Sequence, residues 1–191
     1  LKLSKKINKI ILATTTNTED DKLAELIDNL GFQVFRGNEA DVLDRYYHAA
    51  KEQQAQTIVR ITGDCPIIDP LLVDNIISFY ELGDVDYVSN TNPPTFPDGL
   101  DTEVFSFESL KIAYKLSKKP YDREHVTPFI KTNNQFCQKN IANEIDFSSE
   151  RWTVDEPEDF SVIENVIKHF EPNLEFSWED VIDLLKSKPE Y

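Results

Sequence analysis

The chain has 191 residues, of which 35 are Asp or Glu and 20 are Lys or Arg, so its formal net charge is −15. Apolar residues make up 40% of the chain, which suits a folded globular protein and argues against disorder. An acidic surface repels nucleic-acid backbones and anionic membranes, and no apolar run is long enough to span a bilayer. We therefore expect no nucleic-acid and no membrane partner.

Strands and helices are predicted to alternate along the chain. Short apolar or β-branched runs indicate strands at Lys9–Thr14, Phe32–Phe35, Thr57–Thr62, Asp86–Ser89, Glu103–Phe107, Phe136–Ile141 and Arg151–Val154. Helical spacing and caps indicate helices from a capping box at Thr18 to Gly31, and at Asp41–Gln54, Asp69–Leu82, Glu108–Ser117, Arg123–Lys131, Glu156–Phe170 and Trp178–Leu185. This rhythm is typical of an α/β fold with a three-layer arrangement and an open, mostly parallel sheet. No linker or repeat divides residues 1–191, so we predict a single domain.

Two aspartates follow predicted strands, at the end of the sheet where α/β proteins bind ligands. Asp64 follows Gly63, which lets the chain turn and brings backbone close to a ligand, and Asp155 follows Val154. Mg²⁺ is usually held by one or two carboxylates together with substrate phosphates. The pattern therefore favours a magnesium site at Asp64 and Asp155, through which an acidic protein could hold a polyphosphate. Two simpler interpretations stay open, with Asp64 as a turn residue and Asp155 as a helix cap.

The chain has two cysteines, Cys65 and Cys137, without C-x-x-C spacing. This usage is typical of a reducing cytoplasm and indicates no structural zinc.

Five sequence blocks occur in an order that resembles a known family. They are FRGNEADVLDRY (35–46), RITGDCP (60–66), PDGLDTEVF (97–105), REHVTP (123–128) and RWTVDEPED (151–159). Together they resemble the cytidylyltransferases of the spore coat polysaccharide biosynthesis protein F type, which are related to CMP-acylneuraminate and CMP-KDO synthetases. The resemblance runs from about residue 7 to about residue 185. It implies the Rossmann-like nucleotidyltransferase, or nucleotide-diphospho-sugar transferase, fold.

The activity that the resemblance implies is nucleotidyl transfer for surface polysaccharide synthesis. A sugar hydroxyl attacks the α-phosphorus of CTP, pyrophosphate leaves and a CMP-sugar results. In the related synthetases the aspartates of the G-D-x-P and D-x-P-E-D blocks bind magnesium, and they match Asp64 and Asp155. Those synthetases are often dimers, so the resemblance also implies a homodimer as one oligomeric state.

The other candidate site residues are assigned by their place in these blocks. Arg60 joins Asp64 and Asp155 as catalytic, while the nucleotide-binding candidates are Arg36, Arg45 and Gly63 and the sugar-binding candidates are Asp101, Glu103, Arg123 and His125. Guanidinium groups suit phosphate or carboxylate, although ordinary ion pairs would explain the same arginines equally well. Glu103 could also be a strand-edge residue, and His125 a surface or capping histidine.

The family pattern opens with a central strand and an R-x-x-S-x-R-L-P-G-K loop that wraps the triphosphate, and this loop is not found in the chain. The chain also contains no Met. We therefore expect an N-terminal segment of about 30–40 residues, with the first strand, to be missing from this chain. Two other functions stay open. One is a glycosyltransferase of similar fold that uses a finished nucleotide sugar, and the other is a truncated, non-catalytic interaction domain.

Overall fold

The computed structural model describes all of residues 1–191, with six strands and eight α-helices. The strands are β1 (Ile11–Thr15), β2 (Gln33–Gly37), β3 (Thr57–Arg60), β4 (Tyr87–Ser89), β5 (Glu103–Ser106) and β6 (Gln138–Asn140). The helices are α1 (Asp21–Asn29), α2 (Val42–Glu52), α3 (Pro70–Glu81), α4 (Phe107–Leu116), α5 (Pro120–His125), α6 (Pro128–Thr132), α7 (Pro157–Phe170) and α8 (Trp178–Ser187). None of the helices combines the length and the apolar character that a membrane crossing requires.

The strands form two sheets. β1 pairs with β2 in parallel, and the other four strands lie in the order β3-β5-β4-β6. β4 and β6 are parallel, whereas β5 runs antiparallel to both β3 and β4. The sheet is therefore mixed, because residues 90–102 between β4 and β5 contain no crossover helix and let the chain reverse direction.

Side-chain alternation along the strands produces the predicted three layers. Val88 and Val104 point to one face of the larger sheet, where they pack with α3, α7 and α8. Tyr87 and Phe105 point to the other face, where they pack with α2, α4 and α6. Helices thus cover both faces of the four-stranded sheet, which leaves its edges and strand ends to form a site.

The start of α1 differs from the predicted capping box at Thr18. Residues 18–20 form a short 3₁₀ turn instead, without a side-chain cap. The carboxylate of Asp20 accepts hydrogen bonds from the hydroxyls of Thr14 and Thr15, at 2.7 and 2.6 Å, and from the Thr15 amide. These bonds lower the pKa of Asp20 to about 2. The carboxylate therefore fastens this turn to the end of β1.

The helix predicted at Arg123–Lys131 is two helices. Pro128 has no N–H group with which to continue α5, and it starts α6 instead. Between them Val126 has a φ of 71° and a ψ of −56°, and the Thr127 amide donates to the His125 carbonyl at 2.8 Å. This is the rare γ-turn with positive φ, which is strained for a β-branched residue.

The strand predicted at Arg151–Val154 is also wrong. The segment makes only a single bridge, between Asp98 and Arg151. The Asp98 amide donates to the Glu150 carbonyl at 2.9 Å, and the Trp152 amide donates to the Asp98 carbonyl at 2.7 Å. The backbone groups of this segment are therefore used by the loops after β3 and before β5 instead of by a strand of the sheet.

Candidate active site at one edge of the sheet

One edge of the four-stranded sheet gathers the predicted site blocks. Arg60, the last residue of β3, is the register partner of Glu103, the first residue of β5. Glu103 is in turn the partner of Ser89, and Ser89 of Asn140, at the carboxyl ends of β4 and β6. This is the end of an α/β sheet at which ligands bind.

Three loops beyond this edge are joined by backbone contacts. The Val154 amide donates to the Asp64 carbonyl at 2.9 Å, which ties the GDCP loop to the TVDEPED segment. Gly99, in the PDGLD loop, has a φ of +108°, and a Cβ built on it would lie 2.9 Å from the carbonyl carbon of Trp152. Only glycine therefore permits this close approach. The contacts place three of the predicted blocks side by side.

The two predicted metal ligands differ in their surroundings. Asp64 is half-buried, whereas the Asp155 side chain is 56% exposed. Asp155 forms an ion pair with Arg151, and Arg151 also pairs with Asp159 at 2.7 Å. No group of three or more Asp, Glu, His or Cys side chains is arranged to hold a metal. Two carboxylates on joined loops fit Mg²⁺, because this ion commonly takes its remaining ligands from phosphates and water.

Asp101 is half-buried between other acidic groups. Burial raises its pKa to about 6, and the Asp98 and Glu103 carboxylates add to the effect. Lys131 is close enough to oppose the shift. A carboxylate with this pKa can hold a hydroxyl group and take up a proton near neutral pH.

Glu103 lies at the centre of a saturated network and is 2% exposed. Its carboxylate is contacted by Tyr87 Oη at 2.6 Å, Thr127 Oγ1 at 2.7 Å, Lys131 Nζ at 2.7 Å and Arg60 Nη1 at 2.5 Å. Burial by itself would raise the pKa of Glu103, but Arg60 and Lys131 hold the pKa below its usual value. The geometry does not support the predicted sugar contact, since the ionised carboxylate is occupied by groups of the protein.

Two of the predicted ligand arginines are also occupied. Arg36 donates to the Thr15 and Asn17 carbonyls, both at 2.7 Å, and pairs with Asp21 at 2.6 Å, so it fixes the turn after β1. The ion-pair interpretation is favoured for Arg36.

Arg123 is held in the same way. Its Nε donates to Asp41 Oδ2 at 3.0 Å, and its Nη1 donates to the Tyr114 carbonyl at 2.9 Å. These bonds connect α5 to the start of α2 and to α4. The geometry therefore does not support the predicted sugar contact of Arg123.

Arg45 is the exception among these arginines. It forms no ion pair, and its buried Nε has no hydrogen-bond partner. Its stem lies so close to Gly37 that a Cβ there would come within 2.7 Å of the Arg45 Cγ. The end of β2 thus leaves room for an arginine whose charge is not matched within the protein, and Arg45 stays a nucleotide-binding candidate.

The other two candidates lie at the surface. His125 is exposed and lies against the Tyr121 ring, with 4.3 Å between ring centroids. This position favours the surface interpretation of His125. Gly63 is exposed with nothing within 4 Å of a Cβ built on it, so its neighbours leave space for an approaching ligand.

Lys131 and Thr127 were not predicted as site residues, although both contact Glu103. Thr127 belongs to the REHVTP block. Lys131 lies three residues beyond Pro128, which places it in the last turn of the short helix α6. A prediction of α6 starting at Pro128 would have placed Lys131 beside this block.

Comparison with known proteins identifies the family. The sequence model of the cytidylyltransferases matches residues 1–177. The chain belongs to the cytidylyltransferase family. Membership makes it a nucleotidyltransferase and confirms the resemblance drawn from the five blocks.

Two relatives of this cytidylyltransferase align over nearly its whole length. The uncharacterized protein MJ1063 of Methanocaldococcus jannaschii is 39% identical over an alignment that covers 100% of this chain and 78% of the relative. The spore coat polysaccharide biosynthesis protein SpsF of Bacillus subtilis is 28% identical over 96% of this chain and 77% of its own length.

Solved structures confirm the nucleotidyltransferase fold of this cytidylyltransferase. A cytidylyltransferase from Leptospira borgpetersenii superposes with a TM-score of 0.94 at 34% identity, covering 100% of this chain and 81% of the other. The CMP:2-keto-3-deoxy-manno-octonic acid synthetase, solved in complex with CTP, superposes with a TM-score of 0.64 over 88% of this chain and 84% of the other. At 10% identity the second likeness shows the fold alone.

Proposed function

We propose that the chain transfers CMP from CTP to a sugar, giving a CMP-sugar and pyrophosphate for surface polysaccharide synthesis. The family membership supports the nucleotidyl transfer, and the name of the SpsF relative supports the role in polysaccharide synthesis. The family model and the Leptospira structure are both of cytidylyltransferases, which supports CTP as the nucleotide. The free, unpaired cysteines favour the reducing cytoplasm as its location.

The observation that carries the proposal is the bond between the Val154 amide and the Asp64 carbonyl, because it brings the two predicted metal ligands to one edge of the sheet. We assign Asp64 and Asp155 to Mg²⁺, which when bound neutralises phosphate charge and polarises the attacked phosphorus. Arg151 balances the charge of Asp155 before the nucleotide arrives.

The remaining roles follow from which side chains have capacity to bind. Arg45, without an acidic partner, binds phosphate oxygens of the nucleotide. Asp101 holds the attacking sugar hydroxyl and accepts its proton as the new bond to the α-phosphorus forms. The bond between the α-phosphorus and the bridging oxygen to the β-phosphorus then breaks, and pyrophosphate leaves.

Pyrophosphate release tests this function. The protein is incubated with Mg²⁺, one nucleoside triphosphate and a panel of neutral and acidic sugars, with sugar-free reactions as the control. We expect release from CTP well above that from ATP, GTP or UTP, and only with a sugar present. A glycosyltransferase would consume a nucleotide sugar without releasing pyrophosphate. Absence of release from CTP with every sugar would contradict the proposal.

A further inference from the structure

Two cations meet one buried carboxylate at the edge of the sheet. Arg60 Nη1 lies 2.5 Å from Glu103 Oε2, and Lys131 Nζ lies 2.7 Å from Glu103 Oε1. Neither cation forms an ion pair with any other residue. One negative charge is therefore shared by two positive charges.

Both cations keep donors that the protein does not use. The buried Nε of Arg60 has no hydrogen-bond partner. The Lys131 ammonium carries three N–H donors and has Glu103 as its one acidic partner. A buried donor without a partner costs free energy comparable to a lost hydrogen bond, so an acceptor that gains access to this atom would be stabilising.

The pair is accessible from the ligand side of the sheet. The Lys131 side chain is 27% exposed and the Arg60 side chain is 18% exposed, whereas Glu103 beneath them is nearly inaccessible. Lys131 contacts Glu103, two residues after Asp101 in the chain, so it lies near the end of the PDGLD loop. An anion at this edge would contact the cations and would not contact Glu103.

The surroundings hold Glu103 in one position. Tyr87 and Thr127 both donate to Oε1 of this carboxylate, and they lie on opposite sides of Glu103 in the sequence. The strained turn at Val126 immediately precedes Thr127 and fixes where its hydroxyl lies. Strain of this kind persists only where the neighbouring structure fixes it.

We propose that Arg60 and Lys131 form an anion-binding pair that takes a phosphate or carboxylate group of the substrates, with Glu103 as the residue that positions both. The identity of this ligand as a substrate rests on the proposed function. The anion contact itself is measurable without turnover. Glu103 is thus a positioning residue instead of the sugar ligand predicted from the sequence.

Binding of two simple anions to the full chain tests the pair. Inorganic pyrophosphate represents the phosphate source and glucuronate the carboxylate source, with both affinities measured by isothermal titration calorimetry. We expect Lys131→Met to weaken at least one probe about tenfold or more, and the probe affected identifies the source. Lys131→Arg keeps the positive charge and can bind phosphate or carboxylate, so it should restore binding to within about threefold of the original chain.

Lys168→Met is the matched control, because it removes the same charge from an exposed pair with Glu164 on α7. The inference is overturned if the original chain binds neither probe, or if Lys131→Met binds both within twofold of it. Anion binding that persists while CTP-dependent pyrophosphate release is absent would reject the proposed function and leave the anion-binding pair intact.

A double-mutant cycle separates positioning from a general structural role. Glu103→Gln should weaken the same probe as Lys131→Met, and the double variant should bind no more weakly than Glu103→Gln alone. If Glu103→Gln does not fold, Tyr87→Phe replaces it in the cycle, since this change removes one donor and no charge. Additive effects of the two substitutions would overturn the positioning role.

Discussion

At the scale of single residues, Asp101 is the acidic group whose protonation should change the free energy of unfolding. Its pKa of about 6 in the folded chain compares with an ordinary value of 3.8. The folded state therefore holds the proton more tightly than the unfolded state. The resulting stabilisation is fully present below pH 3.8 and is lost as the pH rises through about 6.

Replacing this carboxylate should therefore raise the free energy of unfolding only at higher pH. We expect Asp101→Asn to raise the free energy of unfolding by about 1 kcal/mol at pH 7, after allowance for solvent screening, and to change it little at pH 3.5. Urea unfolding at the two pH values measures this difference. Asp183→Asn, on the exposed side of α8, is the control. A shift of equal size at both pH values would contradict the account.

The arginines show where prediction from sequence stops at this scale. Arg36, Arg45 and Arg123 are alike in residue type and lie in the same group of motifs, but only Arg45 lacks an acidic partner in the structure. The partner of Arg36 is Asp21 and the partner of Arg123 is Asp41, and neither aspartate is a sequence neighbour of its arginine. Their pairing depends on tertiary contacts, which local patterns do not contain.

At the scale of elements, the approach of the PDGLD loop to residues 151–153 depends on one glycine. Gly99 combines a positive φ with a position 2.9 Å from the backbone of Trp152. We expect Gly99→Ala to lower the free energy of unfolding by about 2 kcal/mol or more, because the backbone of the neighbouring segment must move.

Thermal unfolding measures this loss, and Gly63→Ala is the matched control for stability. A Cβ at Gly63 meets nothing within 4 Å, and its φ lies outside the left-handed region. The melting temperature of Gly63→Ala should therefore remain near that of the original chain. An equal melting temperature for Gly99→Ala would show that the two segments do not pack as closely as the structure indicates.

Most elements were predictable because their signals are local. The apolar spacing and the Asp69-Pro70 cap predict α3, and the structure confirms both. The direction of β5 was not predictable, since alternating side chains serve parallel and antiparallel strands equally. The segment at Arg151–Val154 has the composition of a strand, but its hydrogen bonds go to the PDGLD and GDCP loops.

At the scale of the whole molecule, the candidate site is made by parts distant in sequence. The place of Asp64 was predictable, because residues that follow strands collect at the same sheet edge. Asp155 follows no strand, and the bond from the Val154 amide to the Asp64 carbonyl holds its segment beside the Asp64 loop. The contribution of Lys131 was not predictable, since Lys131 contacts Glu103 only after α5 and α6 turn at Val126. The molecule is therefore an acidic protein whose candidate site joins two aspartates, proposed to bind metal, to a small group of cations.

The most direct test of this account is the affinity for CTP with and without Mg²⁺, measured by calorimetry for the original chain, Asp64→Asn and Asp155→Asn. The original chain should bind CTP about tenfold or more tightly with Mg²⁺ than with a chelator, which corresponds to about 1.4 kcal/mol. Both variants should remain folded and lose this difference, while Asp183→Asn retains it. Equal CTP affinity of the original chain with and without Mg²⁺, or a magnesium effect preserved in both variants, would contradict the account.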